Sequence, residues 1–247
     1  MILMRYIMPF VFFLLIFSSC SEDDGEIQIK LKLEYQGTPV VMLDRFQYPD
    51  NGPEFFFLKF SMFMSNLELI GDNTIELMDI DLLNFSDSHS TLTGAEEGFV
   101  LSIKDVAPGS YTGLRFDIGV PDTLNAQSPA DFSNDHPLAS TAEYWEGWNS
   151  YIFMKTEGRI DLEGDDDFET GMALHIGSDA VYRSKTMSES IQINAEETTV
   201  TTITIDLYKL FVNGNDTYDI YTTPQIHTLE EIDFAIELAD NLVQAIN

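Results

Sequence analysis

The chain has one cysteine, two tryptophans and four histidines, and only 12 lysines and arginines against 42 acidic residues in a length of 247. A single cysteine allows no intrachain disulfide, so stability must come from an apolar core. A formal net charge of −30 without any basic stripe excludes nucleic acid as a partner, because neutralising phosphates takes clustered lysine and arginine. The same charge opposes adsorption of the folded surface on anionic lipid and leaves attraction of cations. No Gly-x-Ser-x-Gly elbow and no His-Glu-x-x-His pair occurs, so the chain is expected not to be an enzyme. A membrane-spanning run is missing too: the apolar stretch from Ile7 to Phe17 is too short for a comfortable span.

That stretch follows Arg5 and ends in Phe17-Ser18-Ser19-Cys20, the layout of a secretory signal. A cysteine directly after two small residues resembles a bacterial lipobox, in which the thiol is acylated and becomes the new N-terminus; an ordinary signal peptide with a stray cysteine is the alternative. Ser21-Glu22-Asp23-Asp24 resembles the short acidic sorting signals of Bacteroidetes-type lipoproteins, which implies a lipid-anchored protein on the outer face of the outer membrane; a solvated spacer is the other reading. The chain then divides into a lipoprotein signal peptide 1–19, an acidic tether 20–25 and one domain 26–247, a length that a single all-β domain can fill.

Within the domain, Ile27, Ile29, Leu31, Leu33 and Tyr35 alternate with Gln28, Lys30, Lys32 and Glu34, the period of a half-buried strand. Similar runs cover 54–70, 74–83, 99–106, 111–120, 148–158, 170–176, 188–195 and 198–211, separated by turn signals such as Pro108-Gly109 and Asn213-Gly214. Many short strands and no interleaved helices predict a mainly β fold, an antiparallel β-sandwich. One α-helix is expected at the C-terminus, where Ile232, Ala235, Ile236, Ala239, Leu242, Val243 and Ile246 recur at helical spacing behind a Thr228/Glu231 capping box. Residues 121–146 have neither period and read as a long functional loop.

The histidines are His89, His136, His175 and His227. His89, in Ser-Asp-Ser-His-Ser, reads as a solvated loop residue. His136 precedes Pro137 in the long loop. His175 stands between Leu174 and Ile176 and so faces away from both, toward solvent or into a pocket at the sheet end. His227 precedes a helix start, where the dipole disfavours imidazolium and keeps the neutral ring that a metal needs. Each alone reads as structural; together they suggest a metal site. Trp145 and Trp148 lie in Tyr144-Trp145-Glu146-Gly147-Trp148-Asn149-Ser150-Tyr151, with Trp148 at a strand entry as the expected core plug and Trp145 as the expected ligand-contacting ring. Asp161-Leu162-Glu163-Gly164-Asp165-Asp166-Asp167-Phe168-Glu169 could hold calcium but lacks EF-hand spacing, and a solvated hairpin tip is favoured.

The stretch from His136-Pro137-Leu138 through Tyr144-Trp145 to residues 151–158 resembles the diagnostic segment of the MbnP-like copper-binding protein family. Other pieces fall in that family's order: Phe60-Ser61-Met62-Phe63-Met64-Ser65-Asn66, Pro108-Gly109-Ser110-Tyr111 leading into Phe116 to Val120, His175-Ile176-Gly177, and His227 through Leu242. The resemblance implies a β-sandwich that binds copper for acquisition or trafficking, with His136, His175 and His227 forming or flanking the metal site. Related proteins use imidazoles and a tryptophan oxidised to kynurenine by a di-haem cytochrome c peroxidase, so Trp145 and Trp148 are candidates for modification, and a TonB-dependent transporter is a further expected partner. Imidazole suits copper, which stands high in the Irving–Williams order. The chain departs from those relatives in having no Trp-x-His pair. The alternative is a surface module for glycan or protein that keeps the fold without the metal, with Tyr144, Trp145 and Trp148 as its platform.

The lipobox reading has a direct test. Cys20→Ala is expected to release the protein from the membrane fraction, because acyl chains would be its hydrophobic attachment; an alanine variant that still sediments with membranes contradicts the anchor.

Overall fold

The computed structural model describes residues 23–214 and 216–247. The signal segment 1–19, the proposed lipidation site Cys20 and the first residues of the tether lie outside the described residues. In chain order the strands are β1 (Gly25–Tyr35), β2 (Thr38–Pro39), β3 (Arg45–Gln47), β4 (Glu54–Ile70) and β5 (Ile75–Asn84); helix α1 (Leu92–Glu97) precedes β6 (Phe99–Val106) and β7 (Gly109–Ile118). After α2 (Asp122–Asn125) come β8 (Tyr144–Trp145), β9 (Ser150–Asp161), β10 (Thr170–Gly177), β11 (Arg183–Ile193) and β12 (Thr198–Asp206). The short β13 (Val212–Asn213), β14 (Asp216–Thr217) and β15 (Gln225–Ile226) lead to α3 (Ile232–Ala245).

The alternation read in β1 is realised residue by residue: Ile27, Ile29, Leu31, Leu33 and Tyr35 are buried and the residues between them are partly exposed. β1 is central in the smaller sheet, flanked by β12 on one side and by β6 and then β2 on the other. The larger sheet runs β11-β7-β4-β9-β10-β15, with β3 and β5 also on β4. β4 is its spine. Ser61 and Met62 pair with both β5 and β9, and Met64, Ser65, Glu68 and Leu69 with both β5 and β7, so the strand has no free edge there. All six residues from Phe60 to Ser65 are buried, as are Ser150 to Thr156 of β9, which places these two segments in the interior on both faces. The inner faces of both sheets share one continuous apolar core.

α3 closes the sandwich by packing on β10 and β11 of one sheet and β12 of the other. Of the stripe read in the sequence, Ala235, Ala239 and Leu242 are buried on the helix, Ile232, Ile236 and Val243 only partly, and Ile246 is buried just past its end. Leu238 and Ala245 complete the buried face, and Thr228 and Glu231 form the capping box, on a single 3-10 turn just before the helix. The Asn241 amide donates to the Leu210 carbonyl, tying the helix to the loop after β12.

Two expectations are corrected. The sheets are mixed rather than wholly antiparallel: β1 pairs in parallel with β12 over nine residues, and β10 in parallel with β15. Side-chain alternation has the same period in either direction, so it carries no information on strand sense. His89 is not a solvated residue but fully buried. The β1–β6 ladder stops at Leu31 and the β1–β2 hairpin begins at Glu34, which leaves the Leu33 N–H between two partners. His89 Nε2 fills that gap, accepting from Leu33 N at 3.1 Å, while its Nδ1 is 2.9 Å from Ser88 Oγ. An Nε2 that accepts puts the proton on Nδ1, so both nitrogens are committed to the fold and neither is free for a metal.

Burial pulls the pKa of His89 down from 6.5 to about 4, against a smaller opposing effect of the Phe85 backbone. The unfolded chain therefore binds the extra proton first, and the contribution of neutral His89 is complete above about pH 6.5 and lost as pH falls toward 4. Thermal melts at pH 7.5 and pH 5 should show a larger fall in Tm for the wild type than for His89→Gln, which cannot titrate. Equal falls would mean that the buried imidazole does not contribute to acid sensitivity.

Candidate metal centre

Two histidines far apart in sequence meet because of one short parallel ladder. Ala173 pairs with Gln225 and Leu174 with Ile226, so the next position along each strand brings His175 beside His227. Their rings lie 5.1 Å apart, centroid to centroid, at 76°. Imidazoles sharing one ion through metal–nitrogen bonds of about 2 Å have centroids no more than about 6 Å apart, so this separation is compatible with joint ligation. Both rings are half-buried, at the outer margin of the sheet.

The neighbouring strand supplies the polar surroundings. On β9, Lys155 is the register partner of His175 and Glu157 that of Ala173, which places both side chains on the face that carries His175. His175 Nε2 is 2.8 Å from Glu157 Oε1. Burial holds the His175 pKa below the usual histidine value, with the Glu157 carboxylate pulling against it and His227 and Lys155 adding to it. Lys155 is itself committed: its ammonium lies 2.7 Å from Glu143 Oε2, both side chains being nearly inaccessible, and donates to the Ala142 carbonyl. His227 is fixed from the other side, its backbone N–H donating to Glu231 Oε2 at 2.7 Å within the capping box.

An aromatic ring completes the group. β8 and β9 form a hairpin in which Trp145 pairs with Ser150, and the intervening turn carries Asn149 at a positive φ of 50°. At Gly147 a Cβ would come within 2.7 Å of Trp145 Nε1, so the indole lies directly on that glycine's backbone. Held this way, the Trp145 ring stands 6.1 Å from the His227 ring and remains 44% exposed. Trp148, three residues on, is buried in the core as read from its strand entry.

The structure brings His175, His227 and Trp145 together and leaves His136 out of a three-histidine set. Among the described residues the only group of three or more His, Cys, Asp or Glu side chains whose ligand atoms all lie within 4.8 Å of one another is Asp161, Asp165 and Glu169. His136 stacks on Phe132 at 4.5 Å, and its Nδ1 accepts from the Leu138 N–H as the cap of a 3-10 turn. The acidic group sits at the tip of the β9–β10 hairpin, where the Asp161 carboxylate accepts from the backbone N–H groups of Gly164, Asp165 and Asp166, a turn that its own side chain closes. Glu157 carried no sequence signal as part of the site; its place opposite Ala173 follows only from the β9–β10 register.

The aromatic platform expected of a glycan module is not assembled. Trp148 is buried and Tyr144 packs edge-on against Tyr151 at 5.1 Å, leaving Trp145 as the only exposed ring of the three.

The family model for MbnP matches residues 24–228. Among solved structures the chain is similar to MbnP from Methylosinus trichosporium, with 12% identity, a TM-score of 0.53, and coverage of 78% of this chain and 79% of that one. At that identity the likeness shows a shared fold. No curated protein matches the chain significantly.

The two tryptophans should separate cleanly on substitution. Trp148→Ala is expected to cost about 3 to 5 kcal/mol, as for other buried aromatic deletions, whereas Trp145→Ala should leave the melting temperature much closer to wild type. A larger loss for Trp145 would reverse the assignment of core plug and site ring.

Proposed function

Because the chain belongs to the MbnP family, we propose that it is a copper-binding protein, working in acquisition or trafficking of the ion rather than in catalysis. The observation that carries this reading is the His175–His227 pair, two adjacent imidazoles at a separation that one ion can bridge. The donor chemistry fits copper. Imidazole is a strong ligand for it, and a ring kept neutral by burial does not have to lose a proton before binding. The surplus of acidic residues gives the protein a negative field that draws cations toward its surface.

In this reading Trp145 is the ring that bounds the ion on its exposed side, and it is also the tryptophan open to oxidation by a partner such as a di-haem peroxidase. Trp148 is not a candidate, because its indole is enclosed in the core. The lipid-anchored, outer-membrane placement implied by Cys20 would put the site where copper enters the cell envelope, with a TonB-dependent transporter as the route inward.

Titration of the soluble domain with copper is expected to give near-stoichiometric binding that weakens below about pH 6, as protons compete for imidazole. Replacing His175 and His227 together with alanine should abolish that binding, and His136→Ala should leave it in place. Retention of full affinity in the double variant would remove the pair from the site; loss in His136→Ala alone would restore the third histidine to it.

A further inference from the structure

From the contact between His175 and Glu157 we infer that Glu157 is a positioning residue: its carboxylate takes the Nε2–H of His175 and thereby leaves Nδ1 as the nitrogen offered to a metal. This rests on the copper reading for the identity of the ion, but the assignment of the proton stands on the geometry alone.

The argument starts from what each group can do. An ionised carboxylate only accepts, so an Nε2···Oε1 contact of 2.8 Å requires the proton on Nε2. A neutral imidazole carries one N–H, and with that hydrogen on Nε2 the lone pair is on Nδ1. Glu157 is available for this role because nothing else claims it. Two lysines share its face, Lys59 directly across on β4 and Lys155 two residues back on β9. Lys155 is held by Glu143 and the Ala142 carbonyl, and among the described residues His175 is the only side chain that forms an ion pair or hydrogen bond with the Glu157 carboxylate. The sheet also makes the contact reproducible. Glu157 and His175 sit on adjacent antiparallel strands, two residues off direct register, a diagonal that long side chains span. Metal-bound histidines commonly give their second N–H to a carboxylate, which fixes the ring and raises the basicity of the ligating nitrogen. Here that carboxylate stands within hydrogen-bond distance of the His175 ring.

The pair of strands therefore divides the work. β15 brings the second imidazole, and β9 fixes the orientation and tautomer of the first. A glutamine at 157 can still accept through its amide oxygen, while an alanine cannot, so the two substitutions separate hydrogen bonding from bulk and from charge.

Long-range proton–nitrogen correlation spectra of 15N-labelled, metal-free protein should show His175 protonated at Nε2, with that proton slow to exchange in the wild type and in Glu157→Gln and fast in Glu157→Ala. Copper titrations should show Glu157→Ala about 10- to 100-fold weaker, with Glu157→Gln recovering most of the loss and all three proteins melting within a few degrees of one another. In the copper-loaded protein, pulsed electron paramagnetic resonance of the remote histidine nitrogen should change in Glu157→Ala and not in Glu157→Gln. A wild-type His175 protonated at Nδ1 overturns the inference, as does equal copper affinity in wild type and Glu157→Ala. Failure of the wild type to bind copper overturns the metal reading instead, and the metal-free spectra then still decide where the proton sits.

Discussion

The ion pair between Lys155 and Glu143 is the contact on which the arrangement of the candidate site depends. Lys155 lies on a segment of β9 buried on both faces, and Glu143 lies near the end of the long connection 121–146. Two charges withdrawn from water hold only if they meet each other, and removing one partner of such a pair typically costs about 3 to 5 kcal/mol. The consequence here is positional. With Glu143 clamped to β9, the next two residues are delivered into the β8–β9 hairpin, and Trp145 is set over His227. Other bonds hold the same connection down further upstream: the Asn125 carboxamide accepts from Ser150 Oγ and from the Tyr151 N–H, and Tyr151 donates its hydroxyl to the Leu138 carbonyl. A segment without periodicity in its sequence is thus as firmly placed as a strand, by side chains that β9 aims at it.

The same strand carries the second function of the sheet. Thr156 separates Lys155 from Glu157, so the two charged residues share a face, and they hold different things. Lys155 fixes the loop that carries the aromatic ring, and Glu157 fixes the imidazole of His175. The site is built on one strand's alternation and is completed by the registers of β8 with β9, β10 with β9 and β15 with β10, which explains how residues at 145, 157, 175 and 227 converge without any local motif.

Much of the fold was legible because the relevant signals are local. The bounds of β4 and β6 coincide with the runs read in the sequence, the capping box is where its spacing put it, and the C-terminal helix is present with Ala235, Ala239 and Leu242 of its expected stripe buried, though the buried face is turned to include Leu238 and Ala245. The contrast between Trp145 and Trp148 was legible for the same reason, from position relative to a strand entry. What could not be read depends on register between distant strands. Nothing in Leu174-His175 or Ile226-His227 announces that the two segments pair in parallel, and nothing near Ala173 points to Glu157. His89 is the sharpest case. Its neighbours are all polar, and its burial is demanded by an unpaired N–H on β1 more than fifty residues earlier, a need that becomes visible only once the two strands flanking β1 are seen to leave a gap at Leu33.

The parallel pairing of β1 with β12 also fixes an order of events. β1 is synthesised among the first segments of the domain, while the strand that covers one of its edges, Thr198–Asp206, is among the last. Until then an eleven-residue strand with a wholly apolar face and an open edge has no partner on that side, a state that invites misassociation. Closing so long a loop before any reward from the ladder also makes the step slow. The β2 and β6 pairings of β1 need only the first 106 residues, but the smaller sheet is completed on its other edge only once nearly the whole chain is available.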